Sequence, residues 1–180
     1  MQTSPDFLVQ TVGLVEPETF RLWIGSRRGE YVAWVCSLVM GVMSGFLYWR
    51  DEPLPCMGIG LFTIFTIAAG LMSFSNWLER KTFIRVDSNG VVYASPIRNV
   101  RMEWSRVAYV AAAKSGPSWK ILVAGGGGHF HYRTEGMVRA GARGTLRLGM
   151  KEGTRLTALI RGQADLGPPE LEQDVWVCRR

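Results

Sequence analysis

Tyr31-Val-Ala-Trp-Val-Cys-Ser-Leu-Val-Met-Gly-Val-Met-Ser-Gly-Phe-Leu-Tyr-Trp49 contains no Asp, Glu, Lys, Arg or His, and the same is true from Leu54 to Trp77. A bilayer core about 30 Å thick is crossed by roughly 20 apolar residues in a helix, a form that pairs its backbone groups internally. Both stretches meet that length. The first is framed by Tyr31 and Trp34 at one end and Tyr48 and Trp49 at the other, where amphipathic rings favour the membrane–water boundary. Two buried helices of a soluble bundle would need polar faces, and neither stretch reads as having one.

Arg50-Asp-Glu-Pro53 leaves room only for a tight turn, and Pro53 and Pro55 suit the start of a second helix. The segments are therefore expected to form an antiparallel hairpin over 31–78. Acidic residues Glu16, Glu18 and Glu30 precede it, which argues against a cleaved signal sequence. Arg21, Arg27 and Arg28 flank the first helix, and Arg80, Lys81 and Arg85 follow the second. Positive residues mark the inside, so a multi-pass protein of the inner (plasma) membrane with both termini cytoplasmic is expected. Gly41 and Gly45 form a GxxxG pattern, and Cys56, Gly60 and Thr63 place small side chains on the second helix. Such residues let helices approach closely, within the hairpin or against another membrane protein.

Outside these helices the chain is charged. The net formal charge is +6, and from Glu79 onward 17 Lys and Arg face 9 Asp and Glu. This bias draws a domain towards anionic headgroups and equally towards nucleic acid, so charge alone does not choose a partner. Cys36, Cys56 and Cys178 are odd in number and lack CxxC spacing; no structural disulfide or zinc site is expected.

After Thr82 the period becomes alternating. Phe83 to Asp87 reads as a strand, Ser88-Asn89-Gly90 as a hairpin turn and Val91 to Ala94 as the partner strand. Strands over 99–103, 106–113, 119–124, 129–133 and 145–148 continue a β-meander. The four glycines from Gly125 read as a flexible turn, because a phosphate-binding loop would need a following Lys-Ser/Thr and a helix start. Leu156, Leu159 and Ile160 recur at helical spacing, predicting an amphipathic helix over 152–162. Gly167-Pro168-Pro169 closes the ordered part, leaving 167–180 as a flexible tail in which Val175, Trp176 and Val177 are a candidate docking segment.

Phe83-Ile-Arg-Val-Asp-Ser-Asn-Gly-Val-Val92, Met102-Glu-Trp-Ser-Arg-Val107 and Gly153-Thr-Arg-Leu-Thr-Ala-Leu-Ile160 resemble the pattern of bacterial pleckstrin-homology-like (PH-like) membrane proteins, over roughly 79–166. The resemblance implies a membrane helical hairpin followed by a mostly β domain, a bent antiparallel sheet of about seven strands capped by a C-terminal helix. It implies binding of lipid headgroups or proteins and no catalysis; a fold pattern supports architecture better than activity. A shorter likeness, Gly25-Ser-Arg-Arg28, is to photosystem I assembly factors with two transmembrane helices.

Among candidate chemical groups, His129 and His131 would project from one face of a strand. They could hold a metal, but no third ligand lies near them in sequence. Glu103 beside Trp104 could be an acid shifted by burial, or an outward carboxylate next to a core anchor. No nucleophile motif and no carboxylate pair emerges. Arg98, Arg101 and Arg106, and further on Arg133, Arg139, Arg143 and Arg147, could bind phosphate bidentately or simply form a solvated face.

The expectation is a non-enzymatic, membrane-anchored binding or assembly module for another membrane complex, in contact with lipids, with no cofactor and no nucleic-acid partner. Its candidate contacts are Arg98, Arg101 and Arg106. One alternative is a sensor of anionic headgroups using those arginines; another is a membrane-bound metal-dependent hydrolase using His129 and His131. The domain plan is a cytoplasmic segment 1–30, the hairpin 31–78, the PH-like domain 79–166 and the tail.

Overall fold

A computed structural model describes residues 5–9, 16–23, 27–49, 56–140 and 144–180. Two units emerge: a helical one, Ile24–Glu79, and a sheet-rich one made of Met1–Trp23 with Arg80–Arg180. The expected Arg50–Pro53 turn and the Gly25-Ser26 part of the shorter likeness lie outside the described residues.

The helical unit consists of α1 (Arg27–Trp49) and α2 (Cys56–Lys81). Each is long and apolar enough to cross a bilayer. Glu30 lies in the first turn of α1, and Arg80 and Lys81 in the last turn of α2, the ends at which each charge is favoured by the helix dipole.

Polar residues do share one face of each helix, and the two faces meet. Asn76 Nδ2 donates to Glu30 Oε2 at 2.8 Å, Trp34 Nε1 to Ser73 Oγ at 2.9 Å, and the Ser37 and Thr66 hydroxyls lie 2.8 Å apart. Thr66 gives its proton to Phe62 O, so Ser37 is the donor of that pair. Gly41 follows against Phe62 and Ser44 against Gly58. On α1 these positions step by four, three, four and three residues, the rhythm of a coiled-coil seam. Ser37, Ala69 and Asn76 are buried, whereas Val35, Leu38, Val42, Ile64, Ile67 and Leu71 face outward. Polar groups inside and large apolar groups outside is the order that suits lipid.

Only the first glycine of the GxxxG pattern belongs to this seam. A Cβ on Gly41 would lie 2.9 Å from Phe62 Cε2, but Gly45 and Gly60 have open space around them, and Thr63 bonds to Ile59 O of its own helix. The seam makes a testable claim. In a Ser37→Ala/Thr66→Val double-mutant cycle on the full chain, unfolded reversibly in mixed micelles, a coupling of about 0.6–1.7 kcal/mol is expected. Strict additivity would mean that close packing alone holds the helices together.

In the sheet-rich unit, β1 (Glu18–Arg21), β2 (Phe83–Asp87), β3 (Gly90–Ala94) and β4 (Asn99–Glu103) form an antiparallel sheet in that order. β1 precedes α1 in the chain and β2 follows α2, so the helical hairpin is inserted between two hydrogen-bonded strands, Glu18 opposite Val86 and Arg21 opposite Phe83. A second sheet contains β5 (Val107–Ser115), β6 (Ser118–Gly125), β7 (Gly128–Arg133), β10 (Glu170–Glu172) and β11 (Val175–Arg179), ordered β10-β11-β5-β6-β7. β8 (Gly136–Ala140) and β9 (Gly144–Leu148) make a separate two-stranded hairpin before helix α3 (Gly153–Gln163).

Ile84, Val86, Met102, Val110, Ile121, Phe130, Leu156, Leu159 and Trp176 belong to one core shared by both large sheets and α3. Tyr132 is buried in it; Thr157 spends its proton on Gly153 O, so the Tyr132 hydroxyl donates to Thr157 at 2.7 Å. Burial pushes that phenol well above its usual range and keeps it neutral.

The N-terminal segment 1–30, expected as a division separate from the β domain, contributes Met1–Trp23 to the same unit. Phe20 and Leu8 are in the core, and the Arg161 guanidinium donates to Leu8 O. The expected flexible tail is likewise structured: Val175 to Arg179 pair with Ala113 to Tyr109, covering an edge that β5 would otherwise leave open. Gln173 and Asp174, at φ 46° and 67°, make its two-residue turn. Eight strands rather than seven fall within 79–166, the extra one being β8.

Candidate functional site

Of the three arginines singled out in the sequence, Arg98 and Arg106 bring their side chains to the run of glycines, whereas Arg101 meets it through its backbone carbonyl. The β6–β7 turn, Gly126-Gly127, lies against the backbone of 101–106, and the Gly126 N–H donates to Arg106 O at 2.9 Å. A Cβ on Gly125 would lie 2.0 Å from Arg106 O, and one on Gly127 would lie 2.8 Å from Arg101 O. These glycines therefore serve close backbone approach, where a merely flexible turn was expected.

Arg106 places its Cβ, Cγ and Cδ beside Gly126, while Arg98 Nη2 comes within 4.0 Å of where a Gly128 Cβ would be. The two side chains thus border the turn from two sides. Arg98 is held in a tight turn in which Ser95 and Arg98 exchange backbone hydrogen bonds. Arg101 is exposed on β4, opposite Val92. Arg106 pairs with Glu103 at 3.6 Å, both side chains more than half exposed, so the pair contributes little and leaves Arg106 free to turn to another anion. Among the described residues Arg98 and Arg101 have no acidic partner. The result is an exposed, under-neutralised cationic rim.

Next to it, on the outer side of β2–β4, an open groove of about 500 Å³ is lined by Asp87, Asn89, Arg101, Glu103 and Ser105 among others. Asp87 Oδ1 already accepts from the Asn89 and Gly90 N–H groups. Trp104 is buried with Nε1 donating to Asp87 O at 3.0 Å, and Glu103 points outward. The Glu103–Trp104 pair is thus an anchor beside a solvated carboxylate.

His129 and His131 lie exposed on one face of β7, opposite Ala124 and Leu122. Among the described residues no group of three or more His, Cys, Asp or Glu is placed to hold a metal ion. Cys36 and Cys178 are free thiols; burial raises the Cys178 pKa, with Arg161 opposing. The Cys56 side chain and Arg143 lie outside the described residues. Arg133 and Arg139 are exposed, and Arg147 lies 5.3 Å from the Trp23 ring.

No known protein family, curated protein or solved structure matches this chain.

A functional reading therefore rests on the residues themselves. The seam of the helical unit, Glu30, Trp34, Ser37, Thr66, Ser73 and Asn76, was not singled out in the sequence. Its signal is the alternating three-and-four spacing of polar and small residues inside apolar runs.

Proposed function

We propose that this chain is a non-enzymatic binding or assembly module of the inner membrane, anchored by its helical hairpin, with the sheet-rich domain at the cytoplasmic face. The observation that carries the reading is the hairpin's inverted order, apolar outside and polar inside, inserted between two strands of one sheet. Such an insertion fixes a folded domain to its anchor through two chain connections, an arrangement suited to presenting a surface next to the membrane. The Lys and Arg on both sides of the hairpin support the cytoplasmic placement. β2 to β7 followed by α3 supports a PH-like relationship, with β1, β8–β9 and β10–β11 as departures.

The test is extraction of the tagged full chain from its native membrane in mild detergent, followed by mass spectrometry of what purifies with it. A stoichiometric membrane complex is expected. Recovery of the chain alone would reject the assembly reading.

Recognition of anionic headgroups is the second reading, favoured by the placement of Arg98 and Arg106 on two sides of the glycine turn. It expects anionic lipid to stay with the purified chain and to be lost from an Arg98→Ala/Arg101→Ala/Arg106→Ala variant. Equal retention by both would end it.

A further inference from the structure

Among the described residues, the β8–β9 hairpin contributes no side chain to the buried core. It is, again among the described residues, a sheet of two strands, a form that is marginal in water unless something covers it. Its register puts Met137 opposite Arg147 and Arg139 opposite Thr145, while Val138 and Leu148 fall on the other face. Both faces carry exposed apolar groups: Met137 is 57 % exposed, Val138 38 % and Leu148 39 %.

Charge indicates what covers these groups. Residues 133–148 hold four arginines and one acid. That acid, Glu135, is already engaged by Arg147 at 3.4 Å. An acidic or neutral protein surface would satisfy part of this composition. Aliphatic side chains interleaved with long cationic ones, whose stems lie along apolar surface while their heads stay in water, fit the boundary of an anionic bilayer better. The hairpin also packs on a residue close to α1 in sequence: Arg147 lies over the Trp23 ring, and three residues separate Trp23 from Arg27.

We propose that the β8–β9 hairpin enters the headgroup region of an anionic bilayer edge-on, so that Met137 on one face and Val138 and Leu148 on the other both meet lipid, with Arg133 and Arg139 on lipid phosphates. The inference rests on α1 and α2 being membrane helices. It adds a second contact with the lipid, separate from the Arg98–Arg106 turn.

Hydrogen exchange on the full chain in lipid nanodiscs tests both levels. In discs containing phosphatidylglycerol, amides of 136–148 are expected to exchange roughly tenfold more slowly than in phosphatidylcholine-only discs. High salt, or the exposed-site variant Val138→Asp/Arg139→Glu, should remove the difference while leaving exchange in β5 and β6 unchanged. Failure of α1 and α2 to enter discs of either composition would defeat the membrane reading itself. Inserted helices with a hairpin indifferent to lipid charge would overturn this inference alone. Protection appearing only when a co-purifying protein is present would overturn it too, assigning the hairpin to that protein.

Discussion

Phe130→Ala is expected to destabilise the sheet-rich unit by about 3–5 kcal/mol. The side chain is 1 % exposed. Its ring stacks on Tyr93 of β3, with centroids 5.4 Å apart, and on Tyr132 of β7 at 6.4 Å. Truncation thus removes a large apolar body from the place where the two large sheets meet, and leaves two aromatic neighbours facing a cavity. Against a typical total stability of about 5–15 kcal/mol, that is roughly a fifth or more. Thermal unfolding of the full chain in micelles measures it, with Ile97→Ala as the control, since Ile97 is 75 % exposed and should change stability by no more than about 0.5 kcal/mol. If both variants unfold at the same temperature, the two sheets do not share a core.

The second large effect comes from a methyl group. Gly125→Ala would bring Cβ to 2.0 Å from Arg106 O and 2.8 Å from the Arg106 carbonyl carbon, backbone atoms that cannot rotate away. The turn must then part from residues 101–106 and give up the Gly126 N–H to Arg106 O bond. Overpacking and the lost bond together come to about 3 kcal/mol. One residue along, Gly126→Ala meets only ordinary contacts at 3.8–4.0 Å with the Arg106 side chain and should change stability by no more than about 0.5 kcal/mol. The contrast separates close approach from flexibility as the reason for the glycines. Equal tolerance at both positions would restore the flexible turn. Headgroup retention should fall with Gly125→Ala as well, because the turn then moves away from the Arg98 and Arg106 side chains that flank it.

The helices were legible because a run of some twenty residues without charge is a long signal: 31–49 and 54–77 became Arg27–Trp49 and Cys56–Lys81. The seam between them was not legible, since Ser37, Thr66 and Asn76 look incidental until the register pairs them. Local turn chemistry misled in both directions. Asn89-Gly90 suggested a turn centred on that dipeptide, but Ser88 and Asn89 make the turn, braced by Asp87, and Gly90 is there because a Cβ would lie 2.1 Å from Met102 O. Gln173-Asp174 carries no such signature yet makes the positive-φ turn of β10–β11. β1 is four residues long and its partner lies beyond the helices, so a reading by local periodicity had nothing with which to pair it. For the candidate site, the arginines were recognised as a group, but the approach of the Arg98 and Arg106 side chains to the glycine turn depends on non-local contacts.

The insertion of the helices between β1 and β2 also governs how the protein is made. β1 leaves the ribosome first, and its partner strand follows about sixty residues later, a delay of about 3–12 s at ordinary elongation rates. During that interval Phe20 has no sheet to join. If α1 and α2 are membrane helices, as proposed, insertion of only one would leave the two strands on opposite sides of the bilayer, where they cannot pair. On that reading, only chains whose two ends have returned to the same side can close the first sheet.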